Sequence, residues 1–378
     1  MKIIHLSDLH IGKKVYGFSM LEEQEYILKK IINIIDSEKP EAVIIAGDIY
    51  DKSVPSAEAI QMLDDFLYEL ACKKLQIFII SGNHDSAERL SFGSRLMYNS
   101  GVHISPAYNG NVEPSSLQDE YGPIDIFMLP FVKPSNVRRF YPDEKIESYT
   151  DAMAVAISNM KINDKNRNIL VTHQFVTGAT RSESEDVSVG GSDNVDVSVF
   201  KPFDYVALGH IHGPQSVGRE TIRYCGTPLK YSFSEKDHIK SVTVLEFFEK
   251  GKINIKTVSL EPKHDMREIK GTYMELTNKS NYENTATDDY LKVLLTDEED
   301  IPDVISKLRV IYPNIMNIEY DNKRTRSVSH ISLVTEIEKK SHLELFKELY
   351  EMQNGQPMND EQIKFSLKLI EEMEEGEV

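Results

Sequence analysis

Residues 2–12 read KIIHLSDLHIG, a short apolar run that ends just before two potential metal ligands, Asp8 and His10. The run Lys2–Leu6 is almost continuously hydrophobic, which predicts a strand that is covered on both faces. Strands of this kind occur in layered α/β proteins, where helices or a second sheet cover each face. The stretch therefore predicts an α/β core whose first strand ends at a group of polar side chains.

Five further apolar runs resemble the first one, and segments with helical spacing lie between them. These runs are Ala42–Ala46, Gln76–Ile80, Asp125–Leu129, Asn168–Thr172 and Tyr205–Leu208. Helices are predicted over Glu22–Ser37 and over Ser56–Leu70, with Ser56 as the expected N-cap. Farther along, Ser241–Phe248 and Lys252–Ser259 are predicted to form a second, antiparallel sheet layer. The predicted fold class is a layered α/β protein.

The pattern changes after Glu261-Pro262-Lys263, and a small α+β unit is predicted to follow. Its expected elements are strands at Tyr273–Leu276, Tyr290–Leu295 and Ile315–Tyr320 and a helix at Asp303–Ile311. Two amphipathic helices, Ser341–Tyr350 and Asp360–Met373, are predicted near the C-terminus. The stretch Thr177–Asp193 has no apolar period and is expected to be a long exposed loop. The predicted division of the chain is 1–262, 263–325, a linker at 326–340, and 341–378.

Composition and charge exclude some classes of protein. Of 378 residues, 40% are hydrophobic and 28% charged, which is typical of a globular protein. The longest apolar runs fall far short of the roughly 20 residues of a membrane helix, and no secretory signal is seen, so we expect a soluble cytoplasmic protein. The net charge of -18 argues against nucleic-acid binding through bulk basicity, but it does not exclude local basic contacts. Cys72 and Cys225 are expected to be buried and unpaired.

Potential metal ligands follow five of the predicted strands. They are Asp8 and His10, Asp48 after Gly47, the run Gly82-Asn83-His84-Asp85, His173, and His210 and His212 after Gly209. Because sites in α/β sheets assemble outside the carboxyl ends of strands, we expect these side chains to converge. Side chains two residues apart in an extended chain point to the same side, which favours convergence within the pairs 8/10 and 210/212. The glycines are expected to let the backbone turn sharply before each group.

The ligand types indicate a divalent cation. Imidazole, carboxylate and amide oxygen without thiolate favour Mn²⁺ or a similar ion over structural zinc. Seven ligands are too many for one ion, whereas two ions about 3.5–4 Å apart that share a carboxylate would use them, and we assign the shared one to Asp48. Gly47-Asp48 alone is better explained as a turn, and histidines outside the five groups, such as His5, His103, His238 and His264, as structural. The run Gly82-Asn83-His84-Asp85 is harder to explain by packing, because three polar side chains directly follow a buried strand. Only the five groups together predict a metal centre.

These five blocks resemble those of the calcineurin-like metallophosphoesterase superfamily. Three stretches are similar, more narrowly, to the family of SbcD nuclease subunits: Asp8-Leu9-His10-Ile11-Gly12, Gly47-Asp48-Ile49-Tyr50-Asp51, and Gly226-Thr227-Pro228 ahead of Ser232-Phe233-Ser234-Glu235. The resemblance covers most of the chain. It implies a two-sheet β-sandwich flanked by helices in 1–262, a capping domain in 263–325, and a C-terminal helix pair in 341–378 that binds a partner.

The resemblance also implies a role for each residue of the site. It places one ion on Asp8, His10, Asp48 and His212, and a second on Asp48, Asn83, His173 and His210. His84 would not bind metal but would protonate the leaving oxygen or stabilise the transition state. A weaker hypothesis, based on closeness to Asp48 in sequence, is that Asp51 orients His84.

The function implied by the resemblance is manganese-dependent hydrolysis of DNA phosphodiester bonds, as exonuclease and endonuclease. The implied partners are an SMC-like ATPase of the SbcC type, DNA with double-strand ends or hairpins, and a second copy bound through Ser56–Leu70 and Ala87–Tyr98. The implied location is the cytoplasm, at the nucleoid. Two alternatives stay open at this point: a stand-alone metal-dependent phosphatase or nucleotidase, and a binding scaffold on a decayed fold. The apolar stripes of the terminal helices could also pack on the parent domain.

Overall fold

The computed structural model of the chain describes residues 1–185, 193–322, 342–354 and 357–376. Its strands are, in chain order, β1 (Lys2–Leu6), β2 (Lys14–Val15), β3 (Phe18–Ser19), β4 (Ala42–Ala46), β5 (Gln76–Ile80), β6 (Val102–Ile104), β7 (Ser115–Asp119), β8 (Gly122–Leu129), β9 (Arg167–His173), β10 (Tyr205–Gly209), β11 (Gln215–Val217), β12 (Arg219–Tyr224), β13 (Ser241–Phe247), β14 (Ile253–Ser259), β15 (Met266–Gly271), β16 (Tyr290–Leu295) and β17 (Ile315–Tyr320). Its α-helices are α1 (Leu21–Glu38), α2 (Ala57–Cys72), α3 (Ala87–Leu90), α4 (Ser94–Met97), α5 (Pro134–Arg138), α6 (Tyr149–Ser158), α7 (Tyr273–Thr277), α8 (Lys279–Tyr282), α9 (Val304–Leu308), α10 (His342–Asn354) and α11 (Asp360–Gly376).

Two six-stranded sheets form the main domain. The first has the order β14-β13-β1-β4-β5-β6 and the second the order β11-β12-β10-β9-β8-β7. The strands β1, β4, β5 and β6 run parallel to one another, and so do β8, β9, β10 and β12. Parallel strands bring their carboxyl ends to the same edge of a sheet, so residues that follow different strands meet there.

The two sheets pack face to face. Fully buried residues of the first sheet, such as Ile44 and Phe78, form one apolar cluster with residues of the second, such as Ile126 and Tyr205. Intervening residues such as Val43 belong to a different cluster on the outer face, which includes residues of α1 and α2. Both faces of the central strands are therefore buried, and this explains why their sequences are continuously apolar. The predicted α/β fold with two sheets and flanking helices is confirmed.

The observed ends of α1 and α2 lie within two residues of the predicted ends, and local capping residues explain this agreement. Helix α2 begins after Ser56, whose hydroxyl accepts a hydrogen bond from the Ala59 amide at 3.3 Å. Helix α1 ends at Glu38, and the capping residue Lys39 adopts a left-handed conformation with φ 51°. The following segment therefore turns directly into β4, the strand beside β1.

The prediction of a second sheet layer after residue 240 was wrong. Strand β13 pairs antiparallel with β1, from Lys2 opposite Glu246 to His5 opposite Thr243, and β14 pairs with β13. Both strands therefore extend the first sheet. The apolar alternation of a strand shows that it has a covered face but does not identify its neighbour.

Tyr273–Leu276, predicted to be a strand, lies in helix α7. The Thr272 hydroxyl accepts from the Glu275 amide, and the Glu275 carboxylate accepts from the Thr272 amide at 2.8 Å. This capping box satisfies amide groups that the first helical turn leaves without partners, and it outweighs the β-propensity of the short apolar run. The neighbouring strand is instead β15, which pairs with β16.

The strands β15, β16 and β17 form a parallel three-stranded sheet with its own small core around Leu291, Val293 and Leu308. We call residues 265–322 the cap unit. The predicted linker 326–340 and the start of the helix at Ser341 lie outside the described residues. No helix in the described part of the chain is long and apolar enough to cross a membrane. Both cysteines are free, but only Cys225 is buried; Cys72 is exposed, contrary to the prediction.

Candidate metal centre

The predicted ligands converge where the carboxyl ends of the two sheets meet. The loop after β1 lies against the loop after β4, because the Asp8 amide donates to Gly47 O at 3.0 Å and the His10 amide donates to Asp48 O at 2.9 Å. The second sheet is tied to the first by the His210 amide, which donates to the Asp8 carboxylate at 2.9 Å. Five loops that are far apart in sequence are thereby joined around one group of side chains.

The ligand side chains reach this position through unusual backbone conformations. Asp8, His10, Asp48 and His210 all have positive φ, at 53°, 45°, 49° and 103°. Residues other than glycine rarely adopt such angles, although Asp and His tolerate them better than most. The predicted reason for convergence, the alternation of an extended chain, was therefore wrong for 8/10, although the pair does converge. Strain of this kind concentrates at functional sites.

The three glycines before the ligands allow neighbouring loops to approach closely, and only one of them is needed for a turn of the backbone. Only Gly47 has a positive φ, 86°, and a Cβ there would lie 2.4 Å from His173 Nδ1. A Cβ on Gly82 would lie 2.1 Å from Asp48 Oδ1, and one on Gly209 would lie 1.9 Å from Ala46 O. These contacts are too short for any side chain. The glycines let the ligand loops of the two sheets touch.

One half of the site contains Asp8, His10 and His212, whose ligand atoms all lie within 4.8 Å of one another. The Nε2 atoms of His10 and His212 are 3.2 Å apart, and Asp48 Oδ2 lies 3.6 Å from His10 Nε2. All four side chains are almost completely inaccessible to solvent.

The other half contains Asp48, Asn83, His173 and His210. His173 Nε2 lies 3.4 Å from Asp48 Oδ2 and 3.0 Å from Asn83 Oδ1, and His210 Nδ1 is also 3.0 Å from Asn83 Oδ1. The Asp48 carboxylate therefore adjoins both halves, as expected for a shared ligand. The structure brings together all seven residues that the sequence predicts as ligands.

The hydrogen-bond roles of these atoms fit a cation. His173 Nδ1 donates to Ala46 O at 2.9 Å, so in the neutral ring Nε2 carries a lone pair that faces the carbonyl oxygen of Asn83. Asp8 Oδ2 is buried and has no hydrogen-bond partner. Acceptor atoms that crowd together in a buried site repel one another unless a proton or a cation lies between them. Imidazole, carboxylate and amide oxygens are suitable ligands for a divalent metal.

The same crowding shifts the acidities of the side chains. Burial raises the pKa of Asp8 to about 6. For His173, burial disfavours the charged ring, but the Asp48 carboxylate outweighs it and raises the pKa of His173 to about 9. Burial lowers the pKa of both His10 and His210 well below the usual value, which keeps these rings neutral. Without a metal, protons compensate the carboxylates of the site; a divalent cation would displace them.

His84 lies at the open side of the site, with about a quarter of its side chain exposed. Its Nδ1 donates to the main-chain oxygen of Asp51 at 3.0 Å, and its Nε2 lies 3.9 Å from Asp48 Oδ2. The Asp51 carboxylate instead accepts from Lys13 Nζ at 2.8 Å. Asp51 thus contacts His84 only through its main-chain oxygen among these hydrogen bonds, and its orienting role stays a prediction.

Asp85 belongs to the run Gly82-Asn83-His84-Asp85, but the sequence predicts no role for it. The carboxylate of the half-buried Asp85 accepts hydrogen bonds from the amides of Ile49, Tyr50 and Gly82, all between 2.9 and 3.0 Å. Burial and the nearby Asp48 charge raise the pKa of Asp85 to about 6. This side chain joins the loop that carries Asp48 to the loop that carries Asn83.

The segment 177–185 is a loop, as predicted, but its end is not exposed and contributes to the site. Glu185 is buried and accepts from the His212 amide at 2.7 Å, while Ser184 Oγ lies 2.7 Å from His212 Nδ1. Residues 186–192 of the predicted loop lie outside the described residues. No periodicity marks Ser184 or Glu185, so only the structure could identify them.

Comparisons with known proteins identify the family. A family model described as calcineurin-like phosphoesterase matches residues 1–214, and one described as the type 5 capsule protein repressor C-terminal domain matches residues 262–354. The D component of the nuclease SbcCD from Staphylococcus epidermidis is 34% identical over 98% of this chain and 99% of its own. The same component from Staphylococcus saprophyticus is 33% identical over the full length of both chains. A solved dimetal phosphatase from Danio rerio covers 69% of this chain and 98% of its own, with a TM-score of 0.40 and 11% identity.

The structural likeness is too distant to support an argument, so the assignment depends on the sequence matches. The first family model covers more than half of the 378 residues, and both full-length relatives exceed 30% identity. The chain belongs to the calcineurin-like phosphoesterase family and, within it, to the SbcD family of nuclease subunits.

Proposed function

We propose that this protein is a manganese-dependent DNA nuclease that hydrolyses phosphodiester bonds with two metal ions. It would be part of an ATP-dependent complex with an SbcC-type ATPase, located at the nucleoid, and would process double-strand ends and hairpins during repair and recombination. The observation that carries the proposal is the convergence of seven potential ligands, six of them buried, at the Asp48 carboxylate, which adjoins both halves of the site.

The residues would divide the chemistry between them. Asp8, His10, Asp48 and His212 would hold one ion, and Asp48, Asn83, His173 and His210 the other. When bound, the ions would supply Lewis-acid chemistry, neutralising phosphate charge and lowering the pKa of water. His84 would act on the leaving group: its Nδ1–H donates to Asp51 O, so the proton to be transferred would be held at Nε2, which faces the site.

Two observations favour a nuclease over a stand-alone phosphatase or nucleotidase. The two relatives named as nuclease components match this chain along its whole length, including the cap unit and the terminal helices. Exposed basic residues also follow the ligand loops in sequence, among them Arg89 in α3, Arg95 in α4 and Lys14 in the short β2–β3 hairpin. Lys13 is a poor candidate for DNA contact, because it is mostly buried and paired with Asp51.

The test is Mn²⁺-dependent cleavage of duplex and hairpin DNA by the full chain, with and without the ATPase. His84→Gln is expected to retain metal and DNA binding and to lose about 10²–10⁴-fold in turnover. Asp51→Ala is expected to lose less than His84→Gln, because the main-chain acceptor of His84 remains. If a phosphomonoester is hydrolysed efficiently while DNA and a model diester are not, the phosphatase alternative is correct.

We assign the ATPase contact to the C-terminal helices. Helices α10 and α11 contact each other, yet Phe346, Leu349 and Phe365 remain between 45% and 65% exposed. Exposed apolar side chains on an amphipathic helix pair support docking into a partner groove. Leu349→Glu is expected to abolish co-purification with the ATPase while Mn²⁺-dependent hydrolysis of a model diester by the isolated chain continues.

We assign a homodimer contact to the region of α2–α4. The implied contact region Ala87–Tyr98 contains two short helices, α3 and α4, separated at Gly93 with φ 76°, and in it Phe92 is 86% and Leu96 83% exposed. A cluster of large apolar side chains in solvent favours a protein interface. Leu96→Glu is expected to convert a dimer to a monomer in light scattering. Val310→Glu, which changes a similarly exposed residue of the cap unit, is the matched control.

A further inference from the structure

We infer that Glu235, together with Ser184 and Lys240, is a positioning group for the metal ligand His212. The inference deepens the proposed function and depends on it. It gives a physical role to the stretch Ser232-Phe233-Ser234-Glu235 and to the segment before residue 186, neither of which supplies a metal ligand.

Ser184, Glu235 and Lys240 hydrogen-bond to the ring nitrogen Nδ1 and the carbonyl of His212, and Glu185 accepts from its amide. The ring atom Nδ1 lies 2.7 Å from Ser184 Oγ and 3.2 Å from Glu235 Oε1. The amide donates to Glu185 Oε1 at 2.7 Å, and the carbonyl accepts from Lys240 Nζ at 3.0 Å. Neither the ring nor the main chain of His212 can rotate without breaking one of these hydrogen bonds.

The contacts at Nδ1 determine which ring nitrogen carries the proton. Ser184 Oγ donates to Glu235 Oε1 at 2.5 Å, so both oxygens near Nδ1 face it as acceptors. The proton of a neutral His212 ring therefore lies on Nδ1, and Nε2 carries the lone pair. That lone pair faces the site, 3.2 Å from His10 Nε2. A carboxylate that accepts from a ligand histidine in this way fixes the tautomer and strengthens the ring as a ligand.

The charge of Glu235 is itself supported within the fold. Glu235 is fully buried, and its Oε2 accepts from Lys240 Nζ at 2.5 Å. Lys240 is also buried, and its ammonium donates in addition to Thr227 Oγ1 at 2.7 Å and to the His212 carbonyl. All three ammonium donors are thus used. A fully satisfied buried ion pair holds a carboxylate in one place, whereas a partly satisfied one would be costly.

The test is a Mn²⁺ titration of the full chain by calorimetry, comparing the wild type with Glu235→Gln. The wild type is expected to show two binding events. In Glu235→Gln, the event that depends on His212 is expected to weaken about 10–100-fold while the other stays nearly unchanged. Electron paramagnetic resonance gives a second readout: at equal Mn²⁺ concentration the wild type is expected to show a spin-coupled pair, and the variant an isolated ion.

Glu23→Gln is the matched control, because Glu23 is an equally buried glutamate that bonds to a histidine, His264, outside the metal site. It is expected to bind both ions as the wild type does. If circular dichroism shows that Glu235→Gln does not fold, the same Mn²⁺ titration of Ser184→Ala tests the inference instead. Loss of this one hydrogen bond is expected to weaken the same event about twofold to tenfold.

Two failures can be told apart. A wild-type protein that binds no Mn²⁺ would refute the proposed function and this inference with it. A wild-type protein that binds two ions, together with a folded Glu235→Gln variant that binds both equally well, would overturn the positioning role alone. The same applies to an unchanged Ser184→Ala if Glu235→Gln is unfolded.

Discussion

At the scale of single residues, the site depends on glycines without side chains as much as on the ligand side chains. Gly209 has no side chain where a Cβ would lie 1.9 Å from Ala46 O and 2.6 Å from His173 Nδ1. These two atoms form the hydrogen bond that directs His173 Nε2 toward the metal site. A side chain at residue 209 would therefore disturb both the packing of the sheets and the orientation of a ligand.

We predict that Gly209→Ala lowers the free energy of unfolding by at least about 3 kcal/mol, because overpacking against backbone atoms cannot be relieved by a rotamer change. Mn²⁺ affinity is expected to fall in any protein that still folds. Urea unfolding and metal titration measure the two effects. Gly271→Ala is the control, since its Cβ would meet only side-chain atoms, the flexible Glu275 carboxylate at 3.3 Å and Leu276 at an ordinary contact distance of 3.5 Å. Equal stability of the two variants would contradict the prediction.

Asp85 supports a second residue-scale prediction. Its carboxylate accepts from three amides in two loops, and an asparagine would place an NH₂ group against at least one of these donors. Asp85→Asn is expected to lower the free energy of unfolding by about 2–4 kcal/mol and to weaken metal binding, because the loops that carry Asp48 and Asn83 separate. A variant that loses stability but retains full Mn²⁺ affinity would show that Asp85 acts on the fold only.

At the scale of secondary-structure elements, the sequence predicts strands better than their partners. The bounds of β1, β4 and β5 agree with the prediction because strands buried on both faces have continuous apolar runs with polar ends. The sheet to which β13 belongs could not be predicted, since pairing depends on contacts distant in the chain. The capping box at Thr272 could have corrected the prediction for Tyr273–Leu276, because the signal lies in the sequence itself.

In the candidate site, too, some residues could be predicted from the sequence and others could not. The convergence of the seven proposed ligands was predictable because each follows a recognisable strand and bears a group that can bind metal. Glu185 and Lys240 were not, because a single polar residue in a loop carries no periodic signal, and its burial depends on residues far away in the chain.

The contact between β7, β9 and the N-terminus allows a prediction about pH. Asp119 on β7 accepts from both Nη atoms of the buried Arg167, at 2.5 and 3.0 Å, and pairs with the terminal amine of Met1 at 3.0 Å. Burial alone would raise the pKa of Asp119, but these cations lower it from 3.8 to about 2. Because its pKa is lower in the folded state, this carboxylate stabilises the fold at every pH above 3.8, the pKa of the unfolded state. The stabilisation is lost as the pH falls from 3.8 through about 2.

We therefore predict that Asp119→Asn lowers the free energy of unfolding by about 2–4 kcal/mol at neutral pH, because it leaves the Arg167 guanidinium buried without a counter-charge. The difference from the wild type should shrink as pH falls below 4, where the wild-type carboxylate also becomes neutral. Urea unfolding at several pH values measures this. Glu113→Gln, which removes a solvent-exposed partner of Lys161, should change little at any pH.

At the scale of the whole molecule, the chain carries a net charge of -18, and some of its carboxylates are buried in the metal site. Asp8 and Asp48 are shielded from water and Asp85 is half-buried; burial, together with the Asp48 charge, raises the pKa of both Asp8 and Asp85. Divalent cations would compensate these charges and join five loops from both sheets. Metal binding should therefore stabilise the main domain as a unit, because a ligand that binds only the folded state shifts the unfolding equilibrium.

We predict that Mn²⁺ raises the midpoint of thermal unfolding and that a chelator reverses the effect. At a free Mn²⁺ concentration 100 times the dissociation constant, one site alone adds about 2.7 kcal/mol to the free energy of unfolding. Asp48→Asn is the decisive comparison, because Asp48 is the ligand proposed to be shared by both ions; this variant should respond weakly to Mn²⁺. Calorimetric scans of both proteins, with and without Mn²⁺, make the measurement. Equal stabilisation of the wild type and Asp48→Asn would mean that the ion binds elsewhere, and a wild type that does not respond would mean that the seven converging side chains form no metal centre.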